Sequence, residues 1–145
     1  MIYLLRHGDA EHETSPDHER RLTPKGVRQS EAAGRALAAL GAKPGACLSS
    51  PKLRAAETAK IACAQLGAEI EIAEELRGGD FDPLALAAGR GDILLVGHEP
   101  DFSNAVAAMT GARVKLKKGG LAAIEDRELQ WLLTPKQLKA IAERG

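Results

Sequence analysis

The side chains of this chain that could do chemistry stand directly behind short apolar segments. Arg6 and His7 follow the apolar residues 1–5, and His98 follows residues 93–97. Because ligands of open α/β proteins bind at the carboxyl ends of the strands, both segments would deliver basic groups to one edge of a sheet. An imidazole can attack phosphorus, and a guanidinium beside it can hold phosphate oxygens. These residues outline an anion pocket that contains a nucleophile.

A third segment adds another arginine to the same expected pocket. Residues 49–54 read Ser-Ser-Pro-Lys-Leu-Arg, which brings Arg54 into the first turn of a predicted helix, where backbone N–H groups also favour anions. Phosphoryl transfer depends mainly on positioned cations, because the transferred group carries its charge on three equatorial oxygens. The planar fork of arginine matches two such oxygens and stays charged. We therefore predict Arg6 and Arg54 as phosphate-binding residues.

The two histidines are expected to have different tasks. His7 can attack phosphorus only through a neutral ring nitrogen, so its other nitrogen must hold the proton, and the carbonyl of Gly8 is a candidate acceptor that would fix this tautomer. His98, at the end of a different strand, would donate to a phosphate oxygen from the opposite side. An adjacent dianion would favour its protonated form.

Strand and helix patterns alternate along the chain. Strands are predicted at residues 1–7, 46–49, 69–73, 93–97, 121–124 and 129–133, and residues 8–22 read as a loop. Helices are predicted from Thr23-Pro24 to Gly41, from Ser50-Pro51 through Leu66, at residues 83–88, from Pro100 or Asp101 to Gly111, and from Thr134-Pro135 to Glu143. Thr23, Ser50 and Thr134 are expected to be N-caps, each before a proline at the first helical position. The alternation predicts a three-layer α/β/α sandwich with a mostly parallel central sheet, forming one domain over residues 1–145.

The composition limits the classes of partner. Acidic and basic residues balance at 20 each, which argues against a nucleic-acid binder that works through bulk charge. No apolar run approaches the ~20 residues needed to span a bilayer, and the first residues lack the features of a signal peptide. Cys47 and Cys63 lack CxxC spacing, so we expect buried, reduced thiols in a cytoplasmic protein.

Metal and nucleotide motifs are not expected to matter here. His12 and His18 lie in a charged loop, and His12-Glu13 lacks the second histidine of an HExxH helix. Asp80 and Asp82 could hold a magnesium ion, but loop carboxylates beside glycines are usually solvated. The chain contains no P-loop and no dinucleotide glycine fingerprint. We therefore expect no metal ion and no cofactor.

The order of these motifs resembles that of the histidine phosphatase superfamily, also called the phosphoglycerate-mutase-like family. The matching segments are Arg6-His7-Gly8-Asp9-Ala10, Leu22-Thr23-Pro24-Lys25-Gly26, Ser50-Pro51-x-x-Arg54-Ala55-x-Glu57-Thr58, Gly97-His98-Glu99-Pro100 and Lys117-Lys118-Gly119-Gly120-Leu121-Ala122. They are similar to those of the compact SixA-type phosphohistidine phosphatases over essentially the whole chain.

The resemblance implies a phosphoglycerate-mutase-like fold and a role for each matching residue. His7 would be the nucleophile that forms a transient phosphohistidine, and Arg6, Arg54 and His98 would form the rest of the phosphate pocket. A basic residue before the Leu-Thr segment often assists in this family. Arg20 matches its spacing best, with Arg21 as the alternative.

The general acid is the point at which the match departs from larger family members. Those members use a carboxylate from the middle of the chain or an Asp directly after the second histidine. Here Glu99 stands in the second place, and the middle offers Glu74, Glu75, Asp80 and Asp82. Glu99 is the first candidate for a general acid, and Asp9 is a further candidate for proton traffic, although a role in ordering the loop fits Asp9 as well.

A missing acid would itself be informative. An ester expels an alkoxide whose parent hydroxyl has a pKa near that of water, about 15.7. Phosphohistidine expels an imidazole, whose conjugate acid has a pKa of about 6.5. The short chain also leaves little length for a lid, although residues 11–20 could fold over the mouth. Both points favour a phosphate displayed on another protein.

We therefore expect a monomeric, metal-independent phosphatase that works through a phosphohistidine intermediate on His7. The expected substrate is phosphohistidine on a protein, with neither nucleic acid nor membrane as a partner. Two alternatives remain open. One is a small-molecule phosphomonoesterase or mutase of the same superfamily, which would act on a small phosphorylated molecule. The other is a non-catalytic phospho-binding module.

Overall fold

A computed structural model describes residues 1–12 and 16–144. Glu13, Thr14, Ser15 and Gly145 lie outside the described residues, and with them the middle of the predicted loop 8–22. The described residues form six strands: β1 Ile2–Arg6, β2 Ala46–Ser49, β3 Ile70–Ile72, β4 Ile93–Gly97, β5 Leu121–Glu125 and β6 Glu128–Leu133. They also form five α-helices: α1 Pro24–Ala39, α2 Leu53–Ala64, α3 Pro83–Ala87, α4 Asp101–Thr110 and α5 Pro135–Arg144.

The six strands form one sheet in the order β3-β2-β4-β1-β5-β6. The neighbours β2–β3, β2–β4 and β1–β4 are parallel, while β5 runs antiparallel to β1 and to β6. The mostly parallel sheet predicted from the sequence is therefore confirmed. Since β4 lies between β1 and β2, the carboxyl ends of these three strands meet at one edge of the sheet.

Apolar side chains of the central strands point alternately to two cores. In β1, Tyr3 and Leu5 pack with residues of α1, α2 and α5. Ile2 and Leu4 pack with residues of α4 on the opposite face. A strand buried on both faces reads as a continuous apolar run, which is why residues 1–5 and 93–97 were readable as strands. The helices on both faces give the expected three layers.

Helix starts follow the predicted chemistry in two cases out of three. The hydroxyl of Thr23 accepts a hydrogen bond from the amide of Gly26 at 3.1 Å, and that of Thr134 accepts one from Gln137 at 3.1 Å. Each of these caps is followed by a proline at the first position of the helix.

The predicted cap at Ser50 is wrong. Helix α2 begins three residues later, at Leu53, with Lys52 in the capping position, and it ends at Ala64 rather than at Leu66. The Ser50 hydroxyl instead accepts a bond from the amide of Lys52 at 3.2 Å, which orders the turn before the helix. Ser50 is also fully buried, and its hydroxyl has a second partner that the sequence alone did not reveal.

The two cysteines are free thiols, and both are buried between β2 and α2. The neighbouring Cys63 and burial together raise the pKa of the Cys47 thiol. Cys47 is therefore an inert core residue, in agreement with the expectation of buried reduced thiols.

Candidate active site

The register of the central strands brings His7 and His98 side by side. Arg6 of β1 pairs with Gly97 of the parallel neighbour β4. His7 and His98 are the residues that directly follow this pair. The amide of His7 donates to the carbonyl of Gly97 at 3.0 Å. The two imidazole rings have centroids 5.3 Å apart and are inclined at 56°. The two predicted histidines therefore share one site.

The ring of His7 is held in the orientation that a nucleophile needs. Its Nδ1 lies 2.7 Å from the carbonyl oxygen of Gly8, and a carbonyl can only accept, so Nδ1 carries the proton. The tautomer expected from the sequence is thus the one that the geometry requires. Nε2 is left with its lone pair, and it accepts a bond from Nε of Arg54 at 3.3 Å.

Burial keeps His7 neutral. Burial lowers the pKa of His7 to about 4, against the effect of the Gly8 carbonyl, and the charges of Arg54, Arg6 and Arg20 lower it further. A histidine with this pKa retains its Nε2 lone pair throughout the neutral pH range. An imidazole in this state would need no general base to act as a nucleophile.

Two glycines allow the loop after β1 to approach α1 closely. A Cβ on Gly8 would lie 2.7 Å from the carbonyl oxygen of Gly26, and a Cβ on Gly26 would lie 2.0 Å from the carbonyl oxygen of Asp9. The amide of Gly8 donates to the hydroxyl of Thr58 in α2 at 3.0 Å. Loop and helices therefore hold the Gly8 carbonyl in place beside Nδ1 of His7.

Arg54 extends from the first turn of α2 and is almost completely buried. Its Nη1 donates to the backbone carbonyl of Asp17 at 2.7 Å, and its Nη2 contacts the Asp17 carboxylate at 3.3 Å. Its Nε contacts Nε2 of His7, so one guanidinium links His7 to Asp17. Arg54 therefore lies beside His7, in the position that the sequence predicted.

Arg6, the last residue of β1, is half-buried. Its Nη1 donates to the carbonyl of Leu116 at 2.9 Å, while its Nε is buried and has no hydrogen-bond partner among the described residues. A buried guanidinium N–H that lacks a protein partner is suited to an anionic ligand.

The ring of His98 is also buried, with 6% of its surface exposed. Its Nε2 lies 2.7 Å from the hydroxyl oxygen of Ser50. Burial lowers the pKa of His98 to about 3, and the neighbouring His7 and Arg54 act in the same direction. On balance the surrounding groups keep His98 neutral, although the carboxylate of Asp17 acts in the opposite direction. A bound phosphate dianion would favour the protonated form that the sequence analysis anticipated.

A close packing contact surrounds Gly97, the last residue of β4, directly before His98. A Cβ on Gly97 would lie 2.8 Å from the ring of Phe102, which is buried against the sheet. Glycine is required at this position because the first turn of α4 covers the end of β4.

Of the two candidate basic residues before the Leu-Thr segment, Arg20 faces the site and Arg21 does not. The side chain of Arg20 is 11% exposed, its Nε donates to the carbonyl of Glu11 at 2.8 Å, and its Nη1 lies 3.3 Å from the carboxylate of Asp17. The charge of Arg20 contributes to the lowered pKa of His7. Arg21 is exposed.

Asp17 is the anion at the mouth of the site. Its carboxylate contacts Lys52 at 2.8 Å, Arg54 at 3.3 Å and Arg20 at 3.3 Å. The hydrogen bond from Lys52, together with the charge of Arg54, holds the pKa of Asp17 well below its usual range. Asp17 belongs to the segment 11–20 that was expected at the mouth, of which residues 13–15 lie outside the described part.

Glu99, the first candidate for the general acid, is engaged elsewhere. One carboxylate oxygen accepts the amide of Ser103 at 2.7 Å; the other accepts the hydroxyl of Ser103 and the amide of Leu116 at 3.0 Å. Three donors therefore surround its two oxygens, and Glu99 ties the start of α4 to the loop that carries Leu116. This geometry suits a structural acceptor rather than a proton donor.

The other candidate acids have local roles or are exposed. Glu74 pairs with Arg77, and Asp82 caps α3. Asp9 accepts the hydroxyl of Thr23 at 2.7 Å, which supports the role in ordering the loop. Glu75 and Asp80 are exposed, and both line a shallow cavity of about 340 Å³ near α3.

The described residues offer neither a metal-binding cluster nor a membrane-spanning helix. Within residues 1–12 and 16–144, no group of three or more His, Cys, Asp or Glu side chains is arranged to hold a metal ion. Over the same residues, no helix is long and apolar enough to cross a membrane.

Three contacts of the site were not predicted from the sequence. The Ser50 hydroxyl bonds the ring of His98, and the Thr58 hydroxyl accepts the amide of Gly8. The Asp17 carboxylate pairs with the basic residues. Ser50 and Thr58 both lie in the segment that suggested Arg54, so their spacing from Arg54 was a usable signal. Asp17 carried no such signal, because an acidic residue in a polar loop is ordinarily solvated.

Comparison with known proteins identifies the class to which this site belongs. The family model of the histidine phosphatase superfamily (branch 1) matches residues 2–85. An uncharacterized protein of Picosynechococcus sp. is 34% identical, over 94% of this chain and 98% of its own. The chain therefore belongs to the histidine phosphatase superfamily, and it is a phosphatase.

Solved structures show the particular architecture within this class. The protein histidine phosphatase SixA complexed with tungstate has a TM-score of 0.82 and 23% identity, over 95% of this chain and 99% of that one. The putative phosphohistidine phosphatase SixA from Agrobacterium tumefaciens has a TM-score of 0.78 and 26% identity, over 92% of this chain and 97% of that one. The phosphoglycerate-mutase-like fold and the resemblance to compact SixA-type proteins are thereby confirmed.

Proposed function

We propose that this phosphatase works through a phosphohistidine intermediate on His7, without a metal ion or cofactor. The observation that carries the proposal is the neutral imidazole of His7, whose Nδ1–H donates to the Gly8 carbonyl and whose Nε2 lone pair faces Arg54. A binding module needs the cations but has no need of a buried neutral nucleophile held in one tautomer.

In the proposed first step, Nε2 of His7 attacks phosphorus in line. An N–P bond forms while the bond from phosphorus to the leaving group breaks, and the electron pair goes to the leaving group. Arg6, Arg54, Arg20 and His98 hold the equatorial oxygens, where preorganised donors stabilise the transition state most. In the second step water attacks phosphorus, the N–P bond breaks, its electron pair returns to Nε2, and inorganic phosphate is released.

We propose phosphohistidine on a protein as the substrate. A phosphorylated imidazole leaves as neutral imidazole once its other ring nitrogen has taken a proton, and a group with a pKa near 6.5 obtains this proton from water. The local contacts of Glu99, Glu74 and Asp82 support a reaction that makes little demand on a protein acid. The similarity to SixA-type structures supports the same substrate class, and the buried reduced cysteines fit the cytoplasmic location that we propose.

The test measures phosphate release in EDTA from a histidine-phosphorylated phosphotransfer protein and from a simple phosphomonoester. We expect the wild type to release phosphate much faster from phosphohistidine and His7→Ala to release none. His18→Ala, which removes an exposed histidine, should behave like the wild type. A burst experiment with labelled substrate should leave an acid-labile, alkali-stable label on the wild-type chain.

Two other outcomes would contradict parts of the proposed function. Loss of activity in EDTA that added metal restores would refute metal independence. Binding of the phosphorylated protein without release by the wild type would favour the non-catalytic module.

One observation favours the phosphomonoesterase alternative. Burial raises the pKa of Asp101, in the first turn of α4, and the nearby carboxylate of Asp80 acts in the same direction. A raised pKa favours the protonated form of a carboxyl group, and a protonated carboxyl group can protonate an alkoxide leaving group. Faster release from the ester than from phosphohistidine would establish this alternative.

A further inference from the structure

The hydroxyl of Ser50 and the imidazole of His98 form a buried pair beside the nucleophile. Ser50 has no exposed surface, and His98 is 6% exposed. Ser50 follows β2 and His98 follows β4, and the amide of Ser50 donates to the carbonyl of Val96 at 3.0 Å, so the sheet itself aligns the two residues. Their polar atoms, Oγ and Nε2, are 2.7 Å apart.

The remaining contacts limit how this hydrogen bond can be oriented. The Ser50 oxygen already accepts the amide of Lys52 at 3.2 Å, and no other acceptor for its proton is present among the described residues. Nδ1 of His98 is buried and has no partner among them either.

Counting unsatisfied groups distinguishes the two tautomers. If Nε2 carried the proton, Ser50 would accept it. Two polar groups would then lack partners: the buried hydroxyl proton and the Nδ1 lone pair. If Nδ1 carries the proton, the hydroxyl donates to Nε2 and a single group, Nδ1–H, lacks a partner. Since each buried unsatisfied polar group costs about 1–3 kcal/mol, the second arrangement is favoured.

We propose that Ser50 is a positioning residue that donates its hydroxyl proton to Nε2 of His98 and so holds the Nδ1–H of that ring ready for a phosphate oxygen. The inference rests on the proposed function and deepens it, because it assigns how the second histidine binds phosphate. A neutral His98 in this tautomer is a hydrogen-bond donor without gaining a proton. The anion then completes the hydrogen bond of Nδ1, for which the described residues supply no partner.

Nuclear magnetic resonance of the wild type, with ¹⁵N-labelled histidine, tests the tautomer without any turnover. The ring signals of His98 are assigned by their loss in His98→Asn. We expect a protonated-type signal from Nδ1 and an unprotonated-type signal from Nε2 at neutral pH, and a change of the Nδ1 signal when inorganic phosphate is added. A protonated Nε2 in the wild type overturns the proposal, whether or not the protein hydrolyses phosphohistidine.

Three variants then separate positioning from packing, with phosphate affinity measured by calorimetry. Ser50→Ala should mix the two tautomers and weaken phosphate binding about tenfold, the cost of one hydrogen bond. Ser50→Thr keeps the hydroxyl and should restore both properties. Ser30→Ala removes an equally buried hydroxyl that donates only to the Gly26 carbonyl inside α1, and it should change neither. A wild-type tautomer and wild-type affinity in Ser50→Ala would overturn the proposal.

Discussion

At the scale of single residues, two neighbouring arginines provide a test of the pocket. Arg20 is nearly buried, bonds to Glu11 and Asp17, and acts electrostatically on His7, whereas Arg21 is exposed. We expect Arg20→Ala to lower kcat/KM for phosphohistidine about ten- to a hundredfold, since a hydrogen bond to a charged group contributes about 1.5–3 kcal/mol. Arg21→Ala removes the same charge from the surface and should change kcat/KM less than twofold.

The comparison separates a pocket cation from general electrostatic attraction. Equal losses in Arg20→Ala and Arg21→Ala would mean that net charge alone matters, and Arg20 would then have no place in the phosphate pocket.

The sequence was a good guide to residues whose function depends on their own strand end, and a poor one to residues that act across elements. His7, His98 and Arg54 were found because each directly follows a readable strand or starts a readable helix. Ser50 was taken for an N-cap because Ser-Pro is a frequent helix start. Its hydroxyl is used by His98, 48 positions away, and only the pairing of β2 with β4 brings the two together.

At the scale of elements, the short 3₁₀ helix Asp17–Glu19 positions an anion against the cations of the pocket. The Asp17 carboxylate contacts Arg54, Arg20 and Lys52, and its pKa is held well below the usual range, chiefly by Lys52. It therefore stays ionised at any working pH. A phosphate that binds the Nη atoms of Arg54 must compete with this carboxylate.

We expect Asp17→Asn to bind inorganic phosphate several-fold more tightly than the wild type, as measured by calorimetry at constant ionic strength. Glu19→Gln removes a charge from the same short helix, where the carboxylate of Glu19 pairs with the exposed His18, and it should leave the affinity nearly unchanged. Weaker binding by Asp17→Asn would show instead that Asp17 holds the cations in position for phosphate.

At the scale of the whole molecule, the fold was predictable because its central strands are buried on both faces and its helices carry clear start signals. The identity of a general acid was not predictable, because a candidate such as Glu99 can be judged only from its hydrogen-bond partners. Those partners are Ser103, one turn along α4, and Leu116, 17 residues later in the chain. The single domain over residues 1–145 and the monomeric state stay predictions.

The free energy of unfolding should depend on pH because the pocket keeps two buried histidines neutral. The pKa values of His7 and His98 are lowered to about 4 and about 3, below the value near 6.5 of an unfolded chain. At pH values between the folded and unfolded pKa values, the unfolded chain binds more protons at these two histidines than the folded chain does. Their contribution therefore lowers the stability as the pH falls through 6.5, and it is constant above about pH 7.5. Linkage gives roughly 2 kcal/mol for each imidazole at pH 5.

Urea unfolding of the wild type at pH 7.5 and pH 5 measures this difference directly. We expect the free energy of unfolding to be lower at pH 5 by about 3–4 kcal/mol, by about half as much in His98→Asn, and by the full amount in His18→Asn, which removes an exposed histidine. Both pH values lie above the range in which the depressed pKa of Asp17 would change the unfolding free energy, because Asp in the unfolded chain titrates near pH 3.9. Equal unfolding free energies at the two pH values would mean that the folded pocket tolerates charged imidazoles, and a neutral His7 could then no longer explain how the nucleophile is kept ready.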